Sequence, residues 1–285
     1  MNNYHVKSQK KLTRQLLKIL LPFGLLSIII VWIGVPILYA LLWSFVNPEF
    51  PWSYPDPFPK NLSLFQWEYV FKYTTIVKSI GNSFLLAFVT TIVCFILALP
   101  TAYALGRRKL KGSEFFKIIM LLPMVFPGMA MGLFLGRMLH GMGVSGTYLG
   151  VVMVHTLVSL PYMLRILVVN FESMPQDLID AASNLGAGNW VKFKEVYLPM
   201  ILPGLVAGAM FTFITSMEEF NLTFIVGAPD ITTIPTVLYS YLGENFLRTR
   251  ASVVSLILLI PNLILLIVAE RKIKTEYMGA ALGKM

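Results

Sequence analysis

The stretch that decides the fold of this chain lies between residues 172 and 199 and contains Asp180-Ala181-Ala182, Gly186 and Val196-Tyr197-Leu198-Pro199. Three residues separate Ala182 from Gly186, and nine separate Gly186 from Val196. The stretch is polar and lies between two apolar segments, each long enough to cross a membrane. It predicts a short helical hairpin at the membrane surface, in which Gly186 ends the first helix in a left-handed conformation.

The hairpin's own sequence predicts where its helices begin and end. Ser173 and Gln176 have the spacing of a capping box. Apolar residues at helical spacing follow, and Asn189 is placed to cap a second short helix. Pro199 is expected to end that helix before the next span.

The composition of the chain is that of a membrane protein. Of its 285 residues 56% are hydrophobic and 13% are charged, about half the charged share of a soluble domain. The net charge is +9, with Lys and Arg clustered beside apolar stretches, which indicates membrane topology rather than binding of nucleic acid. Cys94 is the single cysteine, so no disulfide can form within the chain.

Six membrane spans are predicted, which makes the chain an all-α polytopic membrane protein. They cover residues 19–45, 80–105, 116–139, 147–170, 201–227 and 253–269. The predicted organisation is a basic arm (1–18), an anchor helix (19–45), an outer loop (46–79), a core (80–269) containing segment 172–199, and a tail (270–285). The first span follows a basic stretch, but its apolar run exceeds that of a signal peptide, so we expect a retained anchor.

The distribution of Lys and Arg predicts the orientation. With both termini cytoplasmic, sixteen basic residues lie on the inner side and six on the outer side. Segment 172–199 then faces the cytoplasm.

The spacing of segment 172–199 resembles the EAA signature (EAA, three residues, G, nine residues, I-x-L-P) of membrane subunits in bacterial binding-protein-dependent ABC importers. Asp180 replaces Glu and Val196 replaces Ile. Residues 82–269 resemble the MetI-type permease core, including Leu160-Pro161-Tyr162 and Leu202-Pro203-Gly204. Within that superfamily, the spermidine/putrescine permeases are most similar at Ser216-Met217-Glu218-Glu219-Phe220, Gly227 and Thr233-Ile234-Pro235.

The resemblance implies a role for segment 172–199, here named the coupling segment. It would dock on an ATPase dimer, with Asp180 as the acidic contact, Ala181 and Ala182 permitting close approach, Gly186 forming the turn, and Leu198 and Pro199 joining the next helix. No Walker A motif is present, so ATP and Mg²⁺ would be bound by that partner, and no cofactor or metal is expected in this chain. The further partners would be a second permease (homologous or identical), an extracytoplasmic solute-binding protein and the lipid of the bacterial plasma membrane.

The fifth predicted span carries a polar stripe. Thr212, Thr215, Ser216, Glu219 and Thr223 fall within an arc of about 100° on an ideal helix. We expect Glu219 to line the translocation path for a cation such as a polyamine, with Glu218 second; Thr215, Ser216 and Tyr162 are the other candidates. The alternative is that both acids lie at a helix end near water or pair within the assembly.

The fourth span contains two further groups of interest. His155 is expected to hydrogen-bond between helices rather than bind solute. Arg165 is expected to reach the inner interface or pair with Glu172. In the outer loop, proline and aromatic residues (Trp52, Tyr54, Trp67 and Tyr69 among them) predict a rigid turn followed by an interfacial helix. The aromatic side chains would contact lipid headgroups or, alternatively, help to dock the solute-binding protein.

Three function classes remain in view. The leading one is the permease half of an ATP-driven importer, for polyamine or, alternatively, for 2-aminoethylphosphonate or ferric iron. An ion-coupled secondary transporter would be expected to show internal repeats and more intramembrane ionisable residues, and neither is detected. An intramembrane enzyme would need a nucleophile–base pair or metal ligands at depth, and no such constellation is found.

Overall fold

The computed structural model describes the backbone of residues 2–53, 55–108, 110–244 and 246–282, and the side chains of residues 22–53, 55–108, 110–243, 246–268 and 270. Tyr54, Lys109, the side chains of the basic arm and those of residues 271–285 in the tail lie outside this description. Within it the chain is helical, and the only extended pairing is an isolated bridge between Val46 and Leu62.

The helices follow in the order α1 Asn2–Ser44, α2 Phe65–Tyr73, α3 Ile76–Arg107, α4 Ser113–Ile119, α5 Leu122–Val125, α6 Gly128–Gly141, α7 Tyr148–Ser173, α8 Gln176–Asn184, α9 Asn189–Lys192, α10 Leu198–Glu218, α11 Asn221–Val226, α12 Ile234–Tyr239 and α13 Arg248–Leu282. Two π-helical turns, Phe193–Tyr197 and Ser240–Glu244, lie between α9 and α10 and after α12. Five stretches in the described chain are long and apolar enough to span a membrane: Pro22–Ser44, Ile76–Arg107, Tyr148–Ser173, Asn189–Glu218 and Arg248–Val268.

The third predicted span differs from the single helix that we expected over residues 116–139. Ser113–Val125 and Gly128–Gly141 meet at a bend of 99°, and the described chain reaches the predicted six spans when this bent pair is counted as one. Phe126, before Pro127, is extended with ψ 138°. A proline disfavours helical backbone in the residue before it, which explains why the helix breaks here.

The fifth predicted span, residues 201–227, has the wrong bounds. Its helix begins at Asn189, passes through the π turn into α10 and ends at Glu218. Pro199 therefore does not end the preceding helix as predicted. A π turn shifts the hydrogen-bond register, and a proline without an N–H is tolerated directly after that shift.

The core is formed by α3, α7 and α10. Its apolar side chains interdigitate around Cys94, Met163, Phe171 and Ile201. On α10, a β-carbon at Gly208 would lie 3.2 Å from Cγ of Met163 on α7. Glycine permits the close approach of helices here, and also where Gly132 of α6 faces Ile225 of α11.

The end of the bundle away from the coupling segment carries a second apolar cluster. Val70 of α2 packs with Ile76, Met217, Ile234 and residues of α13. The predicted helix after the proline-rich turn is thus confirmed as α2. The Arg250 guanidinium lies 3.6 Å from the centre of the Tyr69 ring and fastens α2 to α13.

Candidate functional site

The first arm of the coupling segment is α8, and it ends in a complete Schellman motif. The Gly186 N–H donates to the Ser183 carbonyl (2.9 Å), and the Ala187 N–H donates to the Ala182 carbonyl (3.0 Å). Gly186 has φ +77°, the left-handed backbone predicted for it. The turn therefore satisfies two carbonyls at the end of α8 without help from another element.

Asp180 is held in place by a series of hydrogen bonds between side chains, which begins with Arg107 on α3. Its Oδ1 accepts from Nε2 of Gln176 (2.9 Å), and Oε1 of Gln176 accepts from the Arg107 guanidinium. Arg107 also donates to the Met174 carbonyl (3.0 Å). Gln176 is therefore not part of a capping box, and that prediction is wrong: Ser173 still belongs to α7 and bonds back to Asn170.

The tip of the coupling segment presents an apolar surface to its surroundings. Leu185 is 88% exposed and Trp190 is 73% exposed, and Leu178 and Val191 are each 49% exposed. Ala181 is exposed and Ala182 is half-buried beside them. Large apolar side chains grouped on a polar hairpin indicate a surface that another protein covers.

Both ends of the coupling segment are anchored in the helix core. The rings of Tyr103 (α3), Phe171 (α7) and Tyr197 (π turn) form a cluster with centroid distances of 5.6 to 6.2 Å. The two arms are further joined by Nζ of Lys192, which donates to Oγ of Ser183 (3.4 Å). These contacts tie the coupling segment to α3, α7 and the start of α10.

The second candidate region is the break between α10 and α11. Glu219 leaves the helix (ψ 108°), and its Oε1 accepts from the Leu222 N–H (2.9 Å) at the start of α11. Glu218 points elsewhere, and its Oε1 accepts from Nδ2 of Asn262 on α13 (2.8 Å). The two carboxylates thus have different partners, on α11 and on α13, whereas the sequence could only rank the two acids as candidates for lining the path.

His155 is fully buried and joins three helices. Its Nδ1 lies 2.7 Å from Oγ of Ser216 and its Nε2 lies 2.7 Å from Oγ1 of Thr223. Because the Thr223 hydroxyl donates to the Glu219 carbonyl (3.0 Å), it accepts from Nε2–H of the imidazole, and Nδ1 accepts from Ser216. The predicted interhelical hydrogen-bonding role is confirmed.

The polar stripe is not one continuous helical face, because the helix ends at Glu218. Thr212, Ser216 and Thr223 are buried against α7, whereas Thr215 is half-buried. Nor does Tyr162 lie beside Glu219. His155 is level with Ser216, so Tyr162 lies about ten residues of antiparallel helix, or ~15 Å, nearer the coupling segment.

Sequence reasoning missed an aromatic cluster at this break. The Phe220 ring lies 4.5 Å from that of Tyr239 and 5.3 Å from that of Phe224, measured between centroids. Phe224 and Tyr239 are 37% and 38% exposed. Phe220 and Phe224 are one helical turn apart, which was a usable signal, but the position of Tyr239 depends on the fold of α12.

Arg165 does not pair with Glu172. The carboxylate of Glu172 instead accepts from Nζ of Lys117 (2.6 Å), which also bonds Glu114 (2.6 Å). Because Lys117 belongs to α4, this ion pair joins α4 to the C-terminal end of α7. Among the described residues no group of three or more His, Cys, Asp or Glu could hold a metal ion.

Comparison with known proteins agrees with this architecture. Residues 96–271 match the family model for "Binding-protein-dependent transport system inner membrane component". The diacetylchitobiose uptake system permease protein NgcG of Streptomyces coelicolor is 29% identical over 199 residues, which are 69% of this chain and 66% of that protein. The molybdenum transport system permease protein ModB of Haemophilus influenzae is 28% identical over 190 residues, 61% of this chain and 83% of that protein.

Among solved structures, a bacterial ABC transporter involved in import of the acidic polysaccharide alginate shares the fold. One of its chains superposes with a TM-score of 0.71 at 18% identity, over 88% of this chain and 95% of that one. The helical architecture, the hairpin between α7 and α10 and the family match agree. The chain belongs to the binding-protein-dependent ABC transport inner membrane component family and is a multi-pass permease subunit of such an importer.

Proposed function

We propose that the coupling segment is where a separate ATPase dimer grips this permease. The observation that carries the proposal is the exposed apolar tip, Leu185 and Trp190, on a hairpin whose ends are packed into the core. A partner protein can dock on the apolar tip, and because the base is packed into the core, movement of that partner would also move the core helices. Asp180 lies on the same arm and would supply the acidic contact, with its carboxylate position set by Gln176.

The mechanism follows from the anchoring. ATP-driven closure of two ATPase subunits would draw two docked hairpins together, one from this chain and one from a second permease subunit. Tyr103, Phe171 and Tyr197 would carry that motion into α3, α7 and α10 as one body. Such rigid-body movement opens a central path alternately to the two sides of the membrane. ATP and Mg²⁺ would stay on the partner, and both termini of this chain would face the cytoplasm.

For the solute, we propose a small organic cation of the polyamine class. The support is the combination at the α10–α11 break of the Glu219 carboxylate with the half-exposed rings of Phe220, Phe224 and Tyr239. A carboxylate attracts an ammonium group, and aromatic faces add cation–π attraction. A solute-binding protein would deliver the solute from the outer side, over the loop that contains α2.

A carbohydrate is the second candidate, and the same aromatic cluster favours it because sugar rings stack on aromatic faces. The relative named for diacetylchitobiose uptake and the alginate transporter take such solutes, whereas none of the relatives described above is named for polyamines. Aminoethylphosphonate and ferric iron remain further alternatives on resemblance alone.

One variant separates these solutes, and a second tests the aromatic cluster that both would use. Glu219→Gln keeps a hydrogen-bond acceptor and removes the charge, so polyamine uptake is expected to fall at least tenfold, whereas sugar uptake would be nearly unchanged. Tyr239→Ala removes a stacking face and weakens both. The cognate binding protein is first screened by thermal shift with putrescine, spermidine, chitobiose, aminoethylphosphonate and ferric ion. Uptake is then measured in proteoliposomes that receive this binding protein. If the binding protein ignores polyamines, the cation proposal is wrong and the permease role stands.

A further inference from the structure

A cavity of about 470 Å³ lies between the inner end of α3, the end of α7 and the second arm of the coupling segment. Its walls are aromatic, with Tyr103, Phe171, Phe193 and Tyr197 around it. Three of these rings also anchor the coupling segment, but no role described above places a molecule in this space. It is large enough for a phosphate with its adjoining glycerol.

The charges on the cavity have one sign. Arg108 and Lys192 line it, and none of its lining residues is acidic. The one hydrogen bond described for the Lys192 ammonium goes to Oγ of Ser183 (3.4 Å), and the Arg108 guanidinium carbon lies 5.8 Å from the centre of the Tyr103 ring. Neither cation pairs with a carboxylate among the ion pairs of the described chain. Two cations therefore share a cavity that contains no internal anion.

The cavity is polar at its rim and apolar at its floor. Leu99 and Pro100 form part of the lining, and they lie about two turns of α3 before Arg107, where that helix ends. Two turns correspond to ~11 Å along the helix axis. The space thus extends from the level of the basic residues into the part of the bundle that the hydrocarbon layer surrounds, a shape suited to an amphiphile.

We propose that this cavity binds the headgroup of an anionic phospholipid from the leaflet next to the coupling segment. The phosphate diester lies between Arg108 and Lys192, where the guanidinium can bond it in bidentate fashion. The first carbons of the lipid chains lie over Leu99 and Pro100. Basic pockets between membrane helices attract such headgroups through the surface potential of the leaflet.

Such a lipid would connect two parts of the machinery. Arg108 follows α3, whereas Lys192 belongs to the coupling segment, so one phosphate bridges the two. The bound lipid would hold the second arm against α3. The inference does not depend on the transport role, since lipid binding is measured without ATP or solute.

The test uses the full chain with its copurifying subunits in mild detergent, titrated with phosphatidylglycerol and followed by native mass spectrometry. The double variant Arg108→Gln/Lys192→Gln is expected to bind it about thirtyfold more weakly, because each charge near the surface contributes about a factor of five. The charge-keeping pair Arg108→Lys/Lys192→Arg should retain most binding. Lys78→Gln/Lys111→Gln removes two exposed charges outside the cavity and should bind as the parent does.

Three results would overturn the proposal. The first is equal binding of phosphatidylglycerol by the double variant and the parent, when thermal unfolding measurements show that both proteins are folded. The second is binding of phosphatidylcholine as tight as that of phosphatidylglycerol. In the third, inorganic phosphate binds the cavity as tightly as the lipid does, so that a free anion is the ligand.

Discussion

Nε2 of Gln176 donates a 2.9 Å hydrogen bond to Oδ1 of Asp180, one turn further along α8. Because Gln176 also accepts from Arg107, the carboxylate that would meet the ATPase is positioned from the end of α3. Asp180 is one methylene shorter than the glutamate of the family pattern. A carboxylate held in place loses less freedom on binding, which offsets part of that shorter reach.

This arrangement predicts different outcomes for two changes at position 180. Asp180→Asn keeps the acceptor for Gln176 but removes the charge, so recovery of the ATPase in copurification is expected to fall about tenfold. Asp180→Glu restores the longer acid and should recover near-parental amounts. The measurement is the ATPase-to-permease ratio after mild detergent extraction. Equal ratios for the parent and Asp180→Asn would remove the ionic role of this residue.

Gly186 predicts a conformational effect without a steric one. A β-carbon there would meet no atom within 4 Å, but the backbone has φ +77°, which costs an L-residue about 1 kcal/mol. Gly186→Ala should therefore loosen the turn and lower ATP-dependent uptake several-fold. Gly188→Ala is the matched control, with equally open space and φ −68°. Equal uptake by both variants would mean that the turn geometry is unimportant.

The packing of α7 on α10 predicts a loss of stability at Gly204. A β-carbon there would overlap the side-chain amide of Asn170, which would have to rotate and give up its hydrogen bond to the Ile166 carbonyl, so Gly204→Ala is expected to cost about 1 kcal/mol and lower the midpoint of thermal unfolding. Gly81→Ala, with no atom within 4 Å of the new carbon, should leave the midpoint nearly unchanged. A midpoint for Gly204→Ala at the parental value would contradict the described helix contact.

Removing the buried imidazole should also destabilise the fold. His155→Ala leaves the Ser216 hydroxyl without its described partner and opens a cavity, at a cost of about 2 kcal/mol. His140→Ala, at an exposed position, is the control. Both are compared by thermal unfolding in the same detergent. Equal unfolding midpoints for His155→Ala and His140→Ala would show that the imidazole does not join the helices.

Much of the architecture was predictable from the sequence, because apolar length and basic flanks mark membrane spans directly. The left-handed turn at Gly186 was predictable too, since few residues other than glycine adopt it. The break at Phe126–Pro127 and the end of α10 at Glu218 were not. A proline can lie inside a membrane helix, as Pro100 and Pro161 do, or break it, and the Glu219 carboxylate replaces a lost helical hydrogen bond locally by accepting from the Leu222 N–H.

The features of the candidate sites that are local in sequence were predictable, whereas contacts between distant residues were not. Spacing alone located the coupling segment, whose motif is local in sequence. The pairing of Lys117 with Glu172 and the meeting of Phe220 with Tyr239 join distant parts of the chain. A helical projection cannot predict such pairs. It also assumes an unbroken helix, and the polar stripe through Glu219 is interrupted because α10 ends at Glu218.

The central claim is that the exposed tip of the coupling segment receives the force of an ATPase. Its most direct test is ATP-dependent solute uptake by proteoliposomes that contain the assembly with Leu185→Glu and Trp190→Glu. Because both side chains are exposed, the variant is expected to fold and insert as the parent does. We predict uptake below a tenth of the parental rate, with loss of the ATPase from the complex. Uptake at the parental rate, by a variant that inserts normally, would contradict the account.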